Sequence, residues 1–199
     1  MDTAFTIEIA EEGPLDLPDY ASVSIAFEVS EIVDVPESTT ALGGLEISER
    51  KVRFPYVKDY DQLPGEAPTQ WPLRFDLSNW GLFGARLDRQ RVGSAAVAFD
   101  TPGLDLLERR RDLALLWDIR VDPRSRGRGV GSALFRAVES WARARACRTL
   151  KVETQNTNVL ACRFYARRGC VLREVHRFAY AQLPDEIQML YYRDLSPDG

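Results

Sequence analysis

Alternating arginines and glycines mark one short segment of this sequence as a candidate phosphate-binding loop. The segment covers residues 124–132 and reads Arg-Ser-Arg-Gly-Arg-Gly-Val-Gly-Ser. Glycines let backbone N–H groups turn toward a ligand, and the N-terminus of a following helix adds positive electrostatic potential. Three arginines within residues 124–128 add positive charge at the same place. Together these features predict a site for a di- or polyphosphate.

The spacing of the glycines excludes two common phosphate-binding motifs. The segment lacks the GxxxxGK[ST] pattern of nucleoside triphosphatases. It also lacks GxGxxG, because its glycines are separated by single residues. The pattern that remains is Arg126-x-x-Gly129-x-Gly131, which joins a predicted strand to a predicted helix.

The elements around this loop alternate between strand and helix patterns. Two apolar-alternating runs at 80–87 and 91–99 predict a hairpin that turns at residues 88–90. Downstream, the predicted order is strand, helix, strand, helix, strand and strand, at 113–121, 131–146, 149–154, 158–168, 170–175 and 187–194. In the first helix, one face at helical spacing carries the apolar residues Leu134, Phe135, Val138, Trp141 and Ala142. In the second helix, Asn158 is expected to be the N-cap and Gly169 to lie at the C-terminal cap. This order predicts an α/β or α+β fold, a mixed sheet flanked by helices in one domain spanning residues 1–199.

The part of the chain before residue 80 has a less regular pattern. Alternation of apolar and polar residues predicts strands at 5–10 and 45–57, with a loop at 38–44 and with Pro55 ending regular pairing. Residues 23–35 fit either a strand or a short helix.

The composition excludes several classes of protein. A single histidine, His176, rules out two-histidine metal sites and the HExxH motif, so no metal site is expected. The three cysteines form no CxxC pair, which favours a reducing cytosol over a disulfide framework. The first residues lack a basic stretch followed by an apolar core, and the longest apolar run, 113–117, is too short to span a bilayer. We therefore expect a cytoplasmic protein without membrane contact.

The charged residues are distributed unevenly along the chain. Residues 1–119 hold 11 basic against 22 acidic side chains, whereas residues 120–151 hold 9 basic against 2 acidic ones. The basic block coincides with the predicted phosphate loop. Nucleic-acid binding by the Arg/Gly loop is an alternative, but aromatic residues for base stacking are missing there, so no nucleic-acid partner is expected.

The loop and a second motif resemble the GNAT superfamily of acetyl-CoA-dependent N-acetyltransferases. Arg126-x-x-Gly129-x-Gly131 is similar to the superfamily's signature loop, and Asp118-Ile119-Arg120-Val121-Asp122-Pro123 is similar to the strand before it. Asn158-x-x-Ala161-x-x-x-Tyr165-x-x-x-Gly169 is similar to the later helix. Cys170 departs from the phenylalanine that usually follows this glycine. The resemblance covers about residues 80–194, which it implies form the cofactor-binding core of a single GNAT domain.

Within the superfamily, the sequence is most similar to streptothricin acetyltransferases. The similar segments are 153–158, 161–165, 191–192 and, in the amino-terminal region, 55–60. The resemblance implies direct transfer of an acetyl group from acetyl-CoA to a primary amine of a small molecule such as a streptothricin-like antibiotic. It also makes a homodimer a candidate assembly. A GNAT-fold protein that only senses acyl-CoA is the alternative that keeps the fold.

The resemblance also implies which residues hold the cofactor. It assigns the pyrophosphate to backbone N–H groups of Arg126, Gly127, Arg128, Gly129, Val130, Gly131 and Ser132. The pantetheine arm and the thioester carbonyl fall to the backbone of Ile119, Arg120 and Val121, whose N–H groups would act as an oxyanion hole. Asn158 is a further candidate contact of the pantetheine arm, besides capping its helix. Tyr165 is also a candidate cofactor contact, with packing in the core as its structural alternative.

Three side chains are candidates for proton transfer. Tyr165 is the general-acid candidate, because a phenol with a pKa near ~10 can protonate a departing thiolate with a pKa near ~8.5. Asp118 and Glu153 are candidates for the general base or for binding a cationic amine, because adjacent strands carry them. The structural alternative for each carboxylate is a salt bridge to an arginine such as Arg120. Tyr56 and Trp71 are candidates for lining the acceptor side, with core packing as the alternative for Trp71.

Overall fold

The structure is a computed structural model that describes residues 6–36 and 47–196. These residues form two compact units. The first contains residues 6–26, 59–152 and 194–196, and the second contains residues 27–36, 47–58 and 153–193. The loop predicted at 38–44 lies outside the described residues.

The first unit is built on a mixed sheet. Its strands are β1 (Glu8–Glu12), β4 (Gly81–Leu87), β5 (Gln90–Phe99), β6 (Leu113–Val121) and β7 (Thr149–Gln155), which continues into the second unit. They lie in the order β1-β4-β5-β6-β7, with antiparallel pairing except for the parallel pair β6–β7. Two helices, α1 (Leu17–Tyr20) and α2 (Val130–Ala144), complete the regular structure with short 3₁₀ turns. The predicted mixed sheet flanked by helices is confirmed.

The predicted hairpin is formed by β4 and β5. Its turn is shorter than the sequence indicated, because Leu87 already pairs with Gln90. Asp88 and Arg89 both have positive φ, 48° and 67°. This is the backbone conformation of a two-residue turn whose twist matches that of the flanking strands.

Helix α2 packs on the sheet through the apolar face that the sequence predicted. All five predicted residues of that face are buried, and Val130 joins them. The helix lies close to β4, where a Cβ on Gly81 would come within 2.6 Å of the Trp141 ring. At this position glycine provides the space for the indole, and the indole Nε1 donates a hydrogen bond to Glu11 Oε1 at 2.9 Å.

The second unit contains β2 (Phe27–Asp34), β3 (Ser48–Lys58), α3 (Val159–Arg167), β8 (Val171–His176) and β9 (Gln188–Asp194). The ambiguous segment 23–35 is thus mostly strand. β2 and β3 form a two-stranded antiparallel sheet, and β8 pairs with β9 in the same sense. The prediction that Pro55 ends regular pairing is wrong: the ladder shifts between Val29 and Glu31 and resumes at Tyr56. Pro55, which has no N–H to donate, lies in the irregular part of the ladder, and pairing continues on both sides of it.

Both ends of α3 carry the caps that the sequence predicted. Asn158 Oδ1 accepts a hydrogen bond from Ala161 N at 3.1 Å, which satisfies an amide of the first turn. At the other end Gly169 has φ of 76°, and Cys170 N donates to Tyr165 O at 3.0 Å. This is a glycine-terminated helix end of the Schellman type.

None of the helices within residues 6–36 and 47–196 is long and apolar enough to cross a membrane. The same residues contain no group of three or more histidine, cysteine or acidic side chains placed to hold a metal ion.

Candidate active site

The arginine- and glycine-rich loop is exposed and leads directly into α2. A 3₁₀ turn (Pro123–Ser125) ends β6, and residues 126–129 then run along the surface. Gly127 and Gly129 both lie in the left-handed region, with φ of 76° and 88°. Glycine adopts this conformation readily, and a Cβ on Gly127 would face open space, so the backbone of Gly127 is accessible to a ligand.

The first turn of α2 offers amide groups to an anion. Its first helical hydrogen bond runs from Ala133 N to Gly129 O at 2.9 Å, so the amides of residues 130–132 have no acceptor inside the helix. The turn contains no acidic side chain that would take them up. Amide donors at the positive end of a helix suit a phosphate group, as the sequence predicted for this loop.

Arg124 and Arg126 of the loop have acceptors in the protein. Arg126 donates to Val121 O at 3.3 Å and to Ala26 O at 3.2 Å. Arg124 pairs with Asp122, with Nη2 3.0 Å from Oδ2. These side chains therefore hold the loop's shape, and the backbone amides remain its main donors for a ligand.

Strand β6 changes its pairing just before the loop. Its ladder with β7 joins Leu113–Leu116 to Thr149–Val152, and residues 117–121 lie beyond it. On the other side, Trp117 bulges out of the ladder with β5, because Ala96 pairs with Asp118 while Val97 pairs with Leu116. The backbone of residues 119–121, predicted to bind the pantetheine arm, therefore lies past the β7 ladder, where an extended ligand can pair with a strand.

Asp118 belongs to a buried cluster of charged and polar side chains. Arg120 donates to both of its oxygens, from Nε to Oδ1 at 2.9 Å and from Nη2 to Oδ2 at 2.7 Å. The hydroxyl of Tyr20 donates to Oδ1 at 2.6 Å. Arg120 also donates to Asp61 Oδ2 at 2.8 Å and to the carbonyl of Val23 at 3.1 Å. Asp118 thus has the arginine partner that the sequence left as its structural alternative.

The cluster shifts the proton affinities of its members. Burial and the nearby Asp118 charge raise the pKa of Tyr20 well above its usual range, so its hydroxyl stays a donor. Burial by itself lowers the pKa of Arg120, but the charge and hydrogen bonds of Asp118 outweigh it and raise that pKa. The guanidinium is therefore permanently charged.

Trp71 lies in the core of the first unit, next to this cluster. Its side chain is only 1% exposed and packs edge-on against the Tyr20 ring at a centroid distance of 5.4 Å. Trp80 and Trp117 surround it at 5.9 and 6.4 Å. Trp71 therefore has the packing role that the sequence kept as the alternative to lining the acceptor side.

Tyr165 and Asn158 lie on α3 in the second unit. Tyr165 is buried, with its ring edge-on to Phe164 at 5.4 Å and tilted against Tyr191 at 6.1 Å. On the same helix, burial raises the pKa of Cys162 to about 11, which makes its thiol a poor nucleophile at neutral pH.

Glu153 is half-buried at the point where β7 enters the second unit. Its Oε1 accepts a hydrogen bond from the Tyr180 hydroxyl at 2.6 Å and another from Gln188 Nε2 at 2.8 Å. Within residues 6–36 and 47–196, no arginine or lysine forms a salt bridge with it. In this respect Glu153 differs from Asp118, which forms a salt bridge with Arg120.

Tyr56 lies on β3 with its side chain partly exposed. Partial burial, together with the charges of Glu186 and Asp185, raises its pKa. A partly exposed phenol near two carboxylates is compatible with the predicted acceptor side.

Four residues around the candidate carboxylates were not singled out by the sequence: Tyr20, Asp61, Tyr180 and Gln188. Tyr20 and Asp61 are distant in sequence from Asp118, and Tyr180 and Gln188 are distant in sequence from Glu153. The segment 55–60, similar to streptothricin acetyltransferases, ends one residue before Asp61.

The chain is similar to known acetyltransferases in sequence and in fold. The family model described as acetyltransferase (GNAT) family matches residues 48–170. A streptothricin acetyltransferase from Escherichia coli is 32% identical over 171 residues, 83% of this chain and 84% of that protein.

Two solved structures share the fold. A nourseothricin acetyltransferase superposes with a TM-score of 0.74 at 22% identity, covering 96% of this chain and 99% of that one. A Bacillus anthracis protein described as a streptothricin acetyltransferase, in complex with acetyl coenzyme A, superposes with a TM-score of 0.72 at 24% identity, covering 95% and 99%.

Proposed function

Because the chain belongs to the acetyltransferase (GNAT) family and is an N-acetyltransferase, we propose that it moves an acetyl group from acetyl-CoA directly to a primary amine of a streptothricin-like acceptor. The observation that best supports acetyl-CoA as the donor is the exposed loop 126–129. In this loop two glycines have positive φ, and the loop leads into the first turn of α2, whose amides have no acceptor inside the helix. The similarity to the E. coli enzyme over 83% of the chain supports the acceptor class.

The donor is held by backbone groups in this proposal. The amides of residues 126–132 bind the diphosphate, and the strand edge at 119–121 pairs with the pantetheine arm. An N–H of that edge donates to the thioester oxygen and stabilises the charge that develops there. When bound, acetyl-CoA supplies an acetyl group already activated as a thioester.

Tyr165 supplies a proton to the departing sulfur. A thiolate with a pKa near ~8.5 takes a proton from a phenol near ~10 at a small cost once the O–H is positioned. The O–H bond of Tyr165 breaks as the S–H bond forms, and bulk solvent returns the proton to the phenolate.

Glu153 receives the acceptor's ammonium and takes its proton. A primary ammonium with a pKa near ~10.4 is almost fully protonated at neutral pH, so the attacking nitrogen needs an acceptor for its proton. Glu153 suits this step because two neutral donors hold it, whereas Asp118 is already paired with Arg120. We assign Asp118 to holding β6 in place, with Arg120 as its partner.

The test is a thiol-release assay with acetyl-CoA and a panel of amines. Streptothricin should accelerate release of CoA, and mass spectrometry should find the product heavier by one acetyl group. Polyamines, amino acids and aminoglycosides serve as comparison acceptors. If no amine accelerates release while calorimetry still detects acetyl-CoA binding, the protein is an acyl-CoA sensor and the proposal fails.

Two further expectations accompany the proposal. A homodimer, implied by the resemblance, predicts a sedimentation mass of about twice the 22.5 kDa chain. A cytoplasmic location and the absence of a nucleic-acid partner stay predictions from composition, which fractionation and RNA-binding assays at several salt concentrations test.

A further inference from the structure

The chain between β8 and β9 brings a tyrosine to Glu153 that no motif marks. The Tyr180 hydroxyl donates to Glu153 Oε1 at 2.6 Å, and Gln155 Nε2 donates to the same hydroxyl at 3.1 Å. With its lone pair engaged by Gln155, the hydroxyl directs its proton to the carboxylate. A hydrogen bond to an ionised acceptor is about twice as strong as a neutral one.

The segment that carries Tyr180 is attached to its own unit at both ends. At its start, the Arg177 guanidinium donates to the carbonyl of Val35. At its end, Ile187 N donates to Asn156 Oδ1 at 2.9 Å, and Asn156 N donates to Ile187 O at 3.0 Å. Because these contacts fix the backbone on both sides of Tyr180, its hydroxyl is held in a defined place.

Both hydrogen bonds to Glu153 fall on one oxygen. Tyr180 and Gln188 donate to Oε1, while Oε2 accepts no hydrogen bond from the residues that the structure describes. Both donors are neutral side chains. The arrangement fixes the rotation of the carboxylate and reserves Oε2 for another donor.

We propose that Tyr180 is a positioning residue, which orients Glu153 so that Oε2 receives the acceptor's ammonium. This inference rests on the proposed function of Glu153. In the step concerned, an N–H bond of the ammonium breaks, an O–H bond forms on Oε2, and the electron pair stays on nitrogen for the attack. Tyr180 itself exchanges no proton and touches no substrate.

The decisive variant is Tyr180→Phe, which removes the hydroxyl and keeps the ring. With streptothricin as the acceptor probe, kcat/KM for the amine should fall by roughly 10- to 100-fold, the range expected for one lost hydrogen bond to a charged group. The KM for acetyl-CoA should not change. Calorimetry of streptothricin with the enzyme–CoA complex should show weaker binding, a readout independent of turnover.

A double-mutant cycle separates positioning from general structural support. In a Glu153→Gln background, Tyr180→Phe should cause no further loss in kcat/KM, because its effect passes through the carboxylate. Tyr192→Phe is the matched control, since Tyr192 makes the same kind of bond to Glu174 on the β8–β9 pair. That variant should keep the wild-type kcat/KM.

Three results would overturn the positioning role of Tyr180. The first is a wild-type kcat/KM in Tyr180→Phe, and the second is that Tyr180→Phe lowers kcat/KM as much in the Glu153→Gln background as in the wild type. The third is that Tyr192→Phe lowers kcat/KM as much as Tyr180→Phe does. In each of them the wild-type protein still acetylates streptothricin, so the proposed function survives. If the wild-type protein acetylates no amine, the proposed function fails first and the role of Tyr180 fails with it.

Discussion

Arg120 forms a bidentate ion pair with Asp118, with Nε 2.9 Å from Oδ1 and Nη2 2.7 Å from Oδ2. The two residues are two positions apart on β6, so their side chains project from the same face of the strand. Through its other nitrogen contacts, Arg120 reaches Asp61 and the carbonyl of Val23. This ion pair therefore ties the strand proposed to bind pantetheine to two distant stretches of chain.

Replacing Arg120 should destabilise the protein strongly. Arg120→Met leaves Asp118 and Asp61 without their buried cation, and breaking a buried pair in this way costs about 3–5 kcal/mol. Urea unfolding followed by tryptophan fluorescence measures the loss. Arg50→Met is the control, because Arg50 and Asp34 form an exposed pair worth less than about 1 kcal/mol. Similar losses in the two variants would contradict the central role of Arg120.

Gly127→Ala should lower the affinity for CoA in addition to lowering the free energy of unfolding. Alanine at a φ of 76° costs about 1–2 kcal/mol of stability, and its methyl group enters the space where the phosphates are expected. Gly103→Ala is the matched control, with φ of 82° and open space around its Cβ. Calorimetry with CoA should find reduced affinity in the first variant alone. Equal affinity in both would remove the loop from the diphosphate site.

The sequence predicted the elements whose residues are neighbours along the chain. The loop, the apolar face of α2 and both caps of α3 follow from local spacing, and each is present in the structure. Local spacing also indicated the hairpin β4–β5, although a turn of two residues is shorter than expected. Such features depend on periodicity and backbone conformation, which a single sequence displays directly.

The partners of the two carboxylates could not be predicted in the same way. Tyr20 meets Asp118 across 98 positions of sequence, and Tyr180 meets Glu153 across 27. No periodicity connects these residues, because long-range packing alone brings them together. The sequence therefore made Asp118 and Glu153 candidates for the same role, and only the structure shows that their surroundings differ.

Two buried thiols should make the fold less stable at alkaline pH. Burial raises the pKa of Cys162 from 9.0 to about 11, and that of Cys147 likewise to about 11. Unfolded thiols ionise near pH 9 while the folded ones stay protonated, so this contribution to stability is complete below pH 9 and is lost up to about pH 11. For Cys162 the loss is on the order of 2–3 kcal/mol.

Urea unfolding at pH 8.5 and 10.5 checks this expectation. The free energy of unfolding should fall less steeply with pH in Cys162→Ala than in the wild type, because the variant has one buried thiol fewer. The comparison cancels the contribution of tyrosines, which both proteins share. Identical slopes would mean that Cys162 is not protected from ionisation by the fold.

Tyr165→Phe should lower kcat and leave donor binding intact. Loss of a positioned general acid costs about 10²–10⁴-fold in rate, whereas the ring that packs on Phe164 is retained. Tyr191→Phe is the control, because Tyr191 lies beside Tyr165 and is buried to the same degree. Thiol-release kinetics measure kcat, and calorimetry with CoA measures donor binding, in both variants. Wild-type kcat in Tyr165→Phe would exclude it as the acid.

Asp118→Asn and Glu153→Gln should separate the two candidate carboxylates. Asparagine keeps a hydrogen bond to Arg120 but loses the charge, so the free energy of unfolding should fall by about 2–4 kcal/mol. Glutamine at 153 keeps the contacts with Tyr180 and Gln188 but cannot take a proton, so kcat/KM for the amine should fall by about 10²-fold or more.

Each variant is measured by urea unfolding and by thiol release with streptothricin, at a temperature where both remain folded. The expected pattern is a crossed one, with the larger stability loss at Asp118 and the larger catalytic loss at Glu153. The opposite pattern would make Asp118 the base in spite of its ion pair.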